Sequence, residues 1–149
     1  MKKIVENLFL GDMYSAPASA EFILSCAAEI FEQKAPRNLG SEQIYELDEK
    51  HTYLNFKDYP GNNEIDMQTV KFGLDQIKNH LALNQEVYVH CVYGVNRSAS
   101  MVFMYLVQNN LLESKNYDDA QKEFGAIYPN HSPNPGGRNF LKENYPYNF

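Results

Sequence analysis

One run constrains this chain more than any other: His90-Cys91-Val92-Tyr93-Gly94-Val95-Asn96-Arg97-Ser98. It lies between a β-like segment, Glu86-Val87-Tyr88-Val89, and a long apolar helix-like segment from Ser98 to Leu112. Strand, short loop, helix is a geometry that turns several backbone N–H groups toward one point. The positive end of the helix dipole adds to them there, so the point attracts anions. Cys91 opens the loop, and the same field favours the thiolate, the nucleophilic form of cysteine. Arg97 closes it with a planar fork that matches two phosphate oxygens. Ser98 follows directly, with a hydroxyl able to donate a hydrogen bond to the thiolate or to cap the helix. A buried cysteine is ordinarily a small hydrophobe without chemistry. His, Gly, Arg and Ser at fixed offsets around this one, between a strand and a helix, point to a nucleophile and a phosphate clamp facing one small volume.

The rest of the chain reads as strands interleaved with helices, hence an α/β domain with a central, mostly parallel sheet flanked by helices. Asn7 to Asp12 reads as a first strand ending at a glycine turn. Ala18 to Cys26 reads as helix, and Ala28 to Gln33 as a short strand. Pro36-Arg37-Asn38-Leu39-Gly40 breaks the chain, and Ser41 to Leu47 reads as a short helix capped by Ser41. Thr52 to Phe56 reads as strand and Lys57 to Asn63 as a turn-rich loop. Ile65 to Leu83 is an amphipathic helix, Val87 to Val89 a buried strand, and Ser98 to Leu112 a core helix. Tyr117 to Tyr128 is a further helix, Pro129 to Gly137 a loop, and Arg138 to Tyr145 a closing helix. No repeat or linker divides the chain, so residues 1–149 read as one domain. Sheets of this class take ligands beyond the carboxyl ends of their strands, which is where Cys91 would sit.

The run His90-Cys91, five residues, Arg97-Ser98 resembles the signature loop of the cysteine-dependent protein phosphatases. Position and length favour the compact dual-specificity phosphatases, whose loop reads His-Cys-x-x-Gly-x-Ser-Arg-Ser. His90, Cys91, Gly94, Arg97 and Ser98 fit, while Asn96 stands where that pattern has Ser. Ser98 to Leu106 is similar to the helix that follows the loop in the family. The resemblance implies a Cys-x5-Arg phosphatase fold, with Cys91 as nucleophile and Val92, Tyr93, Gly94, Val95, Asn96 and Arg97 around the phosphate. It implies Ser98 as the hydroxyl that helps the thiolate leave, and His90 as a residue orienting the loop rather than an acid or base. It also implies a general acid on a loop after a strand, some thirty residues before the cysteine. Asp58 fits, after the predicted strand and before Tyr59-Pro60-Gly61; Asp66 is the rival, better suited to starting a helix. Asn134, in Ser132-Pro133-Asn134-Pro135-Gly136, is similar to a family element that buttresses the loop, and equally reads as an ordinary Asn-Pro turn.

The expected activity is hydrolysis of phosphotyrosine, with or without phosphoserine and phosphothreonine, in proteins through a phosphocysteine. The alternatives are a phosphoinositide or RNA 5′-phosphate as substrate, and a phosphate-binding pseudophosphatase. The five loop residues carry no charge and the net charge is −6, both of which disfavour a polyanionic substrate, nucleic acid or anionic membrane. His51, His80 and His131 lack ligand spacing, so no metal or other cofactor is expected. Cys26 and Cys91 form no CxxC pair, and Cys26 reads as core. A thiolate at Cys91 suits a reducing, cytoplasmic setting. Met1 to Asn7 is basic without the apolar run of a signal peptide, and a monomer is expected.

Overall fold

The computed structural model describes residues 1–61 and 63–149; Asn62, within the predicted turn-rich loop, lies outside the described residues. Six strands form one mixed sheet: β1 (Lys2–Val5), β2 (Leu8–Gly11), β3 (Phe22–Ser25), β4 (Ile44–Glu46), β5 (His51–Leu54) and β6 (Val87–His90). Five helices flank it: α1 (Ala28–Lys34), α2 (Met67–Ala82), α3 (Arg97–Gln108), α4 (Tyr117–Ile127) and α5 (Pro135–Asn144). The strand order is β1-β2-β6-β3-β5-β4. The four inner strands run parallel, and β1 and β4 pair antiparallel at the edges. β6 therefore lies inside the sheet, and all four of its residues are buried. Parallel strands covered on both faces read as continuous apolar runs, which accounts for the sequence of β6 and of β3.

Three sequence expectations are corrected. Ala18 to Cys26 is not a helix; Phe22–Ser25 is β3, paired with β6 on one side and β5 on the other. A doubly buried strand lacks the alternation that distinguishes strand from helix. Ala28 to Gln33 is not a strand but most of α1, a stretch of good helix formers with Ile30 and Phe31 buried. Ser41 to Leu47 holds no helix; Ile44–Glu46 is edge strand β4, fixed by Ile44↔Leu54, Tyr45↔Tyr53 and Glu46↔Thr52. Those partners are tertiary, so local propensity could not reveal them. The closing helix also starts earlier than Arg138, with Pro135 in its first turn where a missing N–H costs nothing.

The long helices follow their patterning. α2 starts at Asp66, whose carboxylate accepts hydrogen bonds from Thr69 N–H (3.2 Å) and Thr69 Oγ1–H (2.6 Å). Gly73 lets α2 approach closely: a Cβ there would come within 2.8 Å of Met101 and 2.9 Å of Leu54. α3 is buried from Arg97 to Leu106 and packs on β6, β2, α2, α4 and α5. Phe103 stands at the centre of an aromatic cluster with Tyr117, Phe124, Tyr147 and His131.

His131 lies against the Phe103 and Phe124 rings and hydrogen-bonds Ser100 Oγ at 3.2 Å. Burial pushes its pKa down to about 4. The unfolded chain, with an ordinary histidine near 6.5, then binds the proton more readily than the folded one. Stability is intact above about pH 6.5 and drains as pH falls toward 4, by roughly 1–3 kcal/mol for this group. Urea midpoints at pH 7 and 4.5 measure the loss, and His131→Gln should shed a share of that pH dependence.

Candidate active site

β6 ends at His90, and the chain from Cys91 to Asn96 loops into the first turn of α3. Gly94 allows the turn: its φ is +72°, and a Cβ there would lie 2.7 Å from the Gly11 carbonyl. Three loop carbonyls are held away from the loop's hollow. Val92 O accepts from Met13 N–H (3.1 Å), Gly94 O from the Tyr128 hydroxyl (2.7 Å) and Val95 O from Ser132 N–H (2.9 Å). A trans peptide sets its N–H opposite its C=O. The N–H groups of Tyr93, Val95 and Asn96 are thereby turned to the other side, where they find no protein acceptor among the described residues. Converging N–H groups without partners form an anion nest.

Ser98 does not cap α3. Its Oγ–H donates to Cys91 Sγ at 3.1 Å, and the cap position belongs to Asn96. His90 Nδ1 lies 2.9 Å from Cys91 O. A carbonyl only accepts, so Nδ1 carries the proton and the tautomer is set. Burial lowers the His90 pKa, partly opposed by that hydrogen bond. The bond ties the ring to the first peptide of the loop.

Arg97 is buried, with only 6% of its side chain exposed. Glu29, in the first turn of α1, grips it with both carboxylate oxygens, at 2.5 and 3.0 Å, and Phe56 O accepts from Nη1 at 2.9 Å. Burial opposes the guanidinium's charge, but the Glu29 carboxylate together with the negative charges at Cys91 and Asp58 outweighs it and the Arg97 pKa moves up. The same pairing holds Glu29 below the usual carboxylate range. Arg97 Nε has no hydrogen-bond acceptor and stands 3.4 Å from Asp58 Oδ1. Nothing in a strand reading of residues 28–33 marks Glu29 as a partner of Arg97. The signal that could have found it was the demand of a buried arginine for a carboxylate partner.

Asp58 is held from two sides. Asn96 Nδ2 donates to Asp58 O (2.9 Å) and Oδ1 (3.0 Å), and Asn134 Nδ2 donates to Asp58 O (2.7 Å). Asn134 N–H in turn donates to Asn96 Oδ1 at 3.1 Å. Asn134 thus supports both the phosphate-type loop and the Asp58 loop. Asp66, engaged as the cap of α2, is not among the residues lining the cleft that holds Cys91 and Asp58.

Asp58, Tyr59, Cys91, Tyr93, Val95, Asn96, Arg97, Ser132 and Asn134 line one open cleft of about 120 Å³. A smaller cavity of about 50 Å³, mostly apolar with Phe56, Val70, Met101 and Leu141 in its wall, also touches Lys57 and Arg97. Cys91 is not in its lining, so the cleft at Cys91 is where a thiol and an anion clamp come together. There a thiol, an arginine, a carboxylate and inward N–H groups meet, a set suited to attack on phosphorus and protonation of a leaving oxygen. Among the described residues no three His, Cys, Asp or Glu side chains are grouped to hold a metal ion, and no helix is long and apolar enough to cross a membrane.

Comparison with known proteins bears on the family and the fold. Residues 23–142 match the family described as "Dual specificity phosphatase, catalytic domain". No curated protein sequence matches significantly. Among solved structures, DUSP15 superposes with a TM-score of 0.72 at 22% identity, over 97% of this chain and 86% of that one. The human tyrosine phosphatase-like serine/threonine/tyrosine-interacting protein superposes with a TM-score of 0.68 at 22% identity, over 95% and 92%. PTPMT1 in complex with PI(5)P superposes with a TM-score of 0.67 at 21% identity, over 95% and 92%. At these identities the structures speak to the fold.

Gly94→Ala tests the loop geometry. A left-handed residue with a Cβ costs roughly 1–2 kcal/mol before the clash with Gly11 is counted. The variant should stay folded by circular dichroism, with a lowered denaturation midpoint, and should lose affinity for inorganic phosphate or vanadate measured by calorimetry. Unchanged anion binding would show that the nest does not depend on this turn.

Proposed function

The chain belongs to the dual specificity phosphatase family, and on that footing we propose that it hydrolyses phosphate monoesters of proteins through a phosphocysteine. Phosphotyrosine is the leading substrate, with phosphoserine and phosphothreonine as further ones. The observation that carries the reading is the convergence of Cys91, Arg97 and Asp58 on one cleft, with the Ser98 hydroxyl 3.1 Å from the Cys91 sulfur.

The mechanism follows from these positions. The loop N–H groups and Arg97 Nε, which has no acceptor of its own, take the phosphoryl oxygens. Cys91 Sγ attacks phosphorus in line as the ester oxygen departs. Asp58, protonated at that moment, gives its proton to that oxygen, so the leaving group goes as a neutral alcohol or phenol. In the second step a water attacks the phosphocysteine, Asp58 takes the water's proton, and the Ser98 hydroxyl stabilises the departing thiolate.

A lipid substrate is the second reading, and the likeness to PTPMT1 in complex with PI(5)P is what favours it. Against it stand the uncharged residues Val92 to Asn96 and the net charge of −6. Polyphosphorylated head groups need additional cations at the loop rim. Nearby Lys57 is engaged by Glu64. Initial rates on phosphotyrosyl peptides beside a phosphoinositide panel separate the two, and faster turnover of a phosphoinositide would reverse the ranking.

Cys91→Ser should lose at least ~10³-fold in turnover while still binding phosphopeptide, because an alcohol is a far weaker nucleophile near neutral pH. Arg97→Lys should be nearly as damaging as Arg97→Ala, since a lysine keeps the charge but loses the fork held by Glu29. Near-normal kinetics in the lysine variant would show that charge alone suffices.

Asp58→Asn should slow turnover by roughly 10²–10⁴-fold, the range for loss of a general acid. The loss should be greatest for esters with poor leaving groups and least for activated aryl phosphates. If Asp66→Asn instead shows that dependence across an aryl phosphate series, the acid has been misassigned.

A further inference from the structure

Asn96 stands at the junction of the two loops that carry the proposed chemistry. It occupies the cap position of α3, yet its side chain makes no bond to the helix. An asparagine there ordinarily turns its oxygen to the N–H groups of the first turn. Here the oxygen accepts from Asn134 N–H at 3.1 Å, while Nδ2 donates to Asp58 O at 2.9 Å and to Asp58 Oδ1 at 3.0 Å. The partners fix which end of the amide is which. A backbone N–H only donates and a backbone carbonyl only accepts, so the amide cannot be turned end for end. Asn96 is 7% exposed, and burial makes these bonds costly to leave unmade.

The two oxygens of the Asp58 carboxyl have different surroundings. Oδ1 faces two N–H groups, Asn96 Nδ2 and, at 3.4 Å, Arg97 Nε. An oxygen turned to donors serves as an acceptor and has no place for a hydrogen of its own. Among the described residues no donor holds Oδ2. Asp58 lines the cleft beside Cys91, with 36% of its side chain exposed. We propose that Asn96 is a positioning residue for proton transfer: by holding Asp58 Oδ1 it confines the transferable proton to Oδ2 and keeps that oxygen turned to the leaving group. The inference rests on the reading of Asp58 as the general acid.

The bond also follows the reaction. While Asp58 is protonated, Oδ1 is the neutral carbonyl end of the carboxyl. As the Oδ2–H bond breaks and the proton joins the departing ester oxygen, Oδ1 takes up part of the carboxylate charge. A hydrogen bond to an ionised oxygen is roughly twice as strong as one to a neutral oxygen. The Asn96 bond therefore tightens on the way to the transition state, and interactions that tighten there raise the rate. In the second step the water's proton returns to Oδ2. The tightening serves the first step, and the orientation serves both.

The test uses the intact chain. Asn96→Ala, Asn96→Ser and Asp58→Asn are assayed on aryl phosphates whose leaving groups run from poor to activated. Asn96→Ala should lose roughly 10–100-fold in kcat on the poorest leaving groups, the scale of a displaced catalytic group, and little on the activated ones. Vanadate affinity should be retained, because the loop N–H groups and Arg97 are unchanged. A merely structural role would slow all esters alike and weaken vanadate binding, which overturns the proposal. Asn96→Ser should show the same pattern as Asn96→Ala in weaker form, since a hydroxyl has one hydrogen for two acceptors. If Asn96→Ala does not fold, the serine variant carries every comparison. Either substitution added to Asp58→Asn should slow it no further, because no acid remains to be positioned; effects that multiply overturn the proposal. If Asp58→Asn itself shows no leaving-group dependence, the acid assignment falls and this inference with it. If Asp58→Asn shows that dependence and the Asn96 variants do not, this inference falls alone.

Discussion

Arg97 is the constraint to which the rest of the site answers. A guanidinium with 6% of its side chain exposed cannot be left alone, because an unpaired buried charge costs several kcal/mol, on the order of 3–5 when a partner is removed. Its partners come from separate parts of the chain: the Glu29 carboxylate from α1 and the Phe56 carbonyl from the end of β5, with Asp58 alongside. One buried cation thus draws α1, the exit of β5 and the loop after it toward the first turn of α3. In the proposed mechanism it has a use beyond packing. With Nη1 and Nη2 engaged by Glu29, the buried Nε has no hydrogen-bond acceptor, and Arg97 lines the cleft that holds Cys91. A donor already desolvated and fixed needs no reorganisation when an anion arrives, which is the property that makes such groups effective in catalysis.

The two ends of the loop are fixed by different means, and both were legible in the sequence. The strand before Cys91 and the helix after it were evident from an apolar run and from a helical stretch apolar on nearly every face. Both are central elements, and burial on all sides writes itself into composition. Gly94 and Ser98 were legible by spacing alone, although the Ser98 hydroxyl goes to Cys91 Sγ and leaves the cap position to Asn96. What could not be read was made by partners distant in sequence. β4 exists because of β5, and β3 looks helical until its two neighbours are known. The misreading of α1 as strand hid Glu29. The outward-facing carbonyls of the loop are held by Met13, Tyr128 and Ser132, residues with no local signature. Asp58 and Asn134 come from the family resemblance, while their hydrogen-bonded connection through Asn96 has no signal in the sequence.

Asn96 stands where the pattern it resembles has serine, and the two side chains differ in hydrogen-bonding capacity. A serine hydroxyl has a single hydrogen to donate, whereas a side-chain amide carries two and a carbonyl oxygen besides. Asn96 uses that capacity fully. It donates to both the backbone carbonyl and the carboxylate of Asp58, and accepts from the backbone of Asn134. Asn134 closes the circuit by donating to the Asp58 carbonyl. A serine at this place could make one of the two donated bonds, and its shorter side chain would not span both loops. The longer residue therefore ties the loop bearing the proposed acid to the loop bearing the nucleophile.

That tie has a consequence for how the site works. An acid on a free loop must be brought in by substrate, and part of the binding energy is then consumed in ordering it. Here the Asp58 backbone is already fixed by two amides, and Gly136 packs so closely on Pro60 that a Cβ there would lie 2.2 Å from its carbonyl. Asp58 and Pro60 are thus held by contacts within the protein. Docking shifts the burden of discrimination onto the rim, where Tyr59 and Tyr93 are each 76% exposed beside the cleft. Two large aromatic surfaces and an uncharged loop give little to a head group bearing several phosphates, and more to a single phosphate carried on a ring. In the proposed mechanism the contacts that hold Asp58 and the exposed Tyr59 and Tyr93 rings would together narrow what can present a phosphate to Cys91.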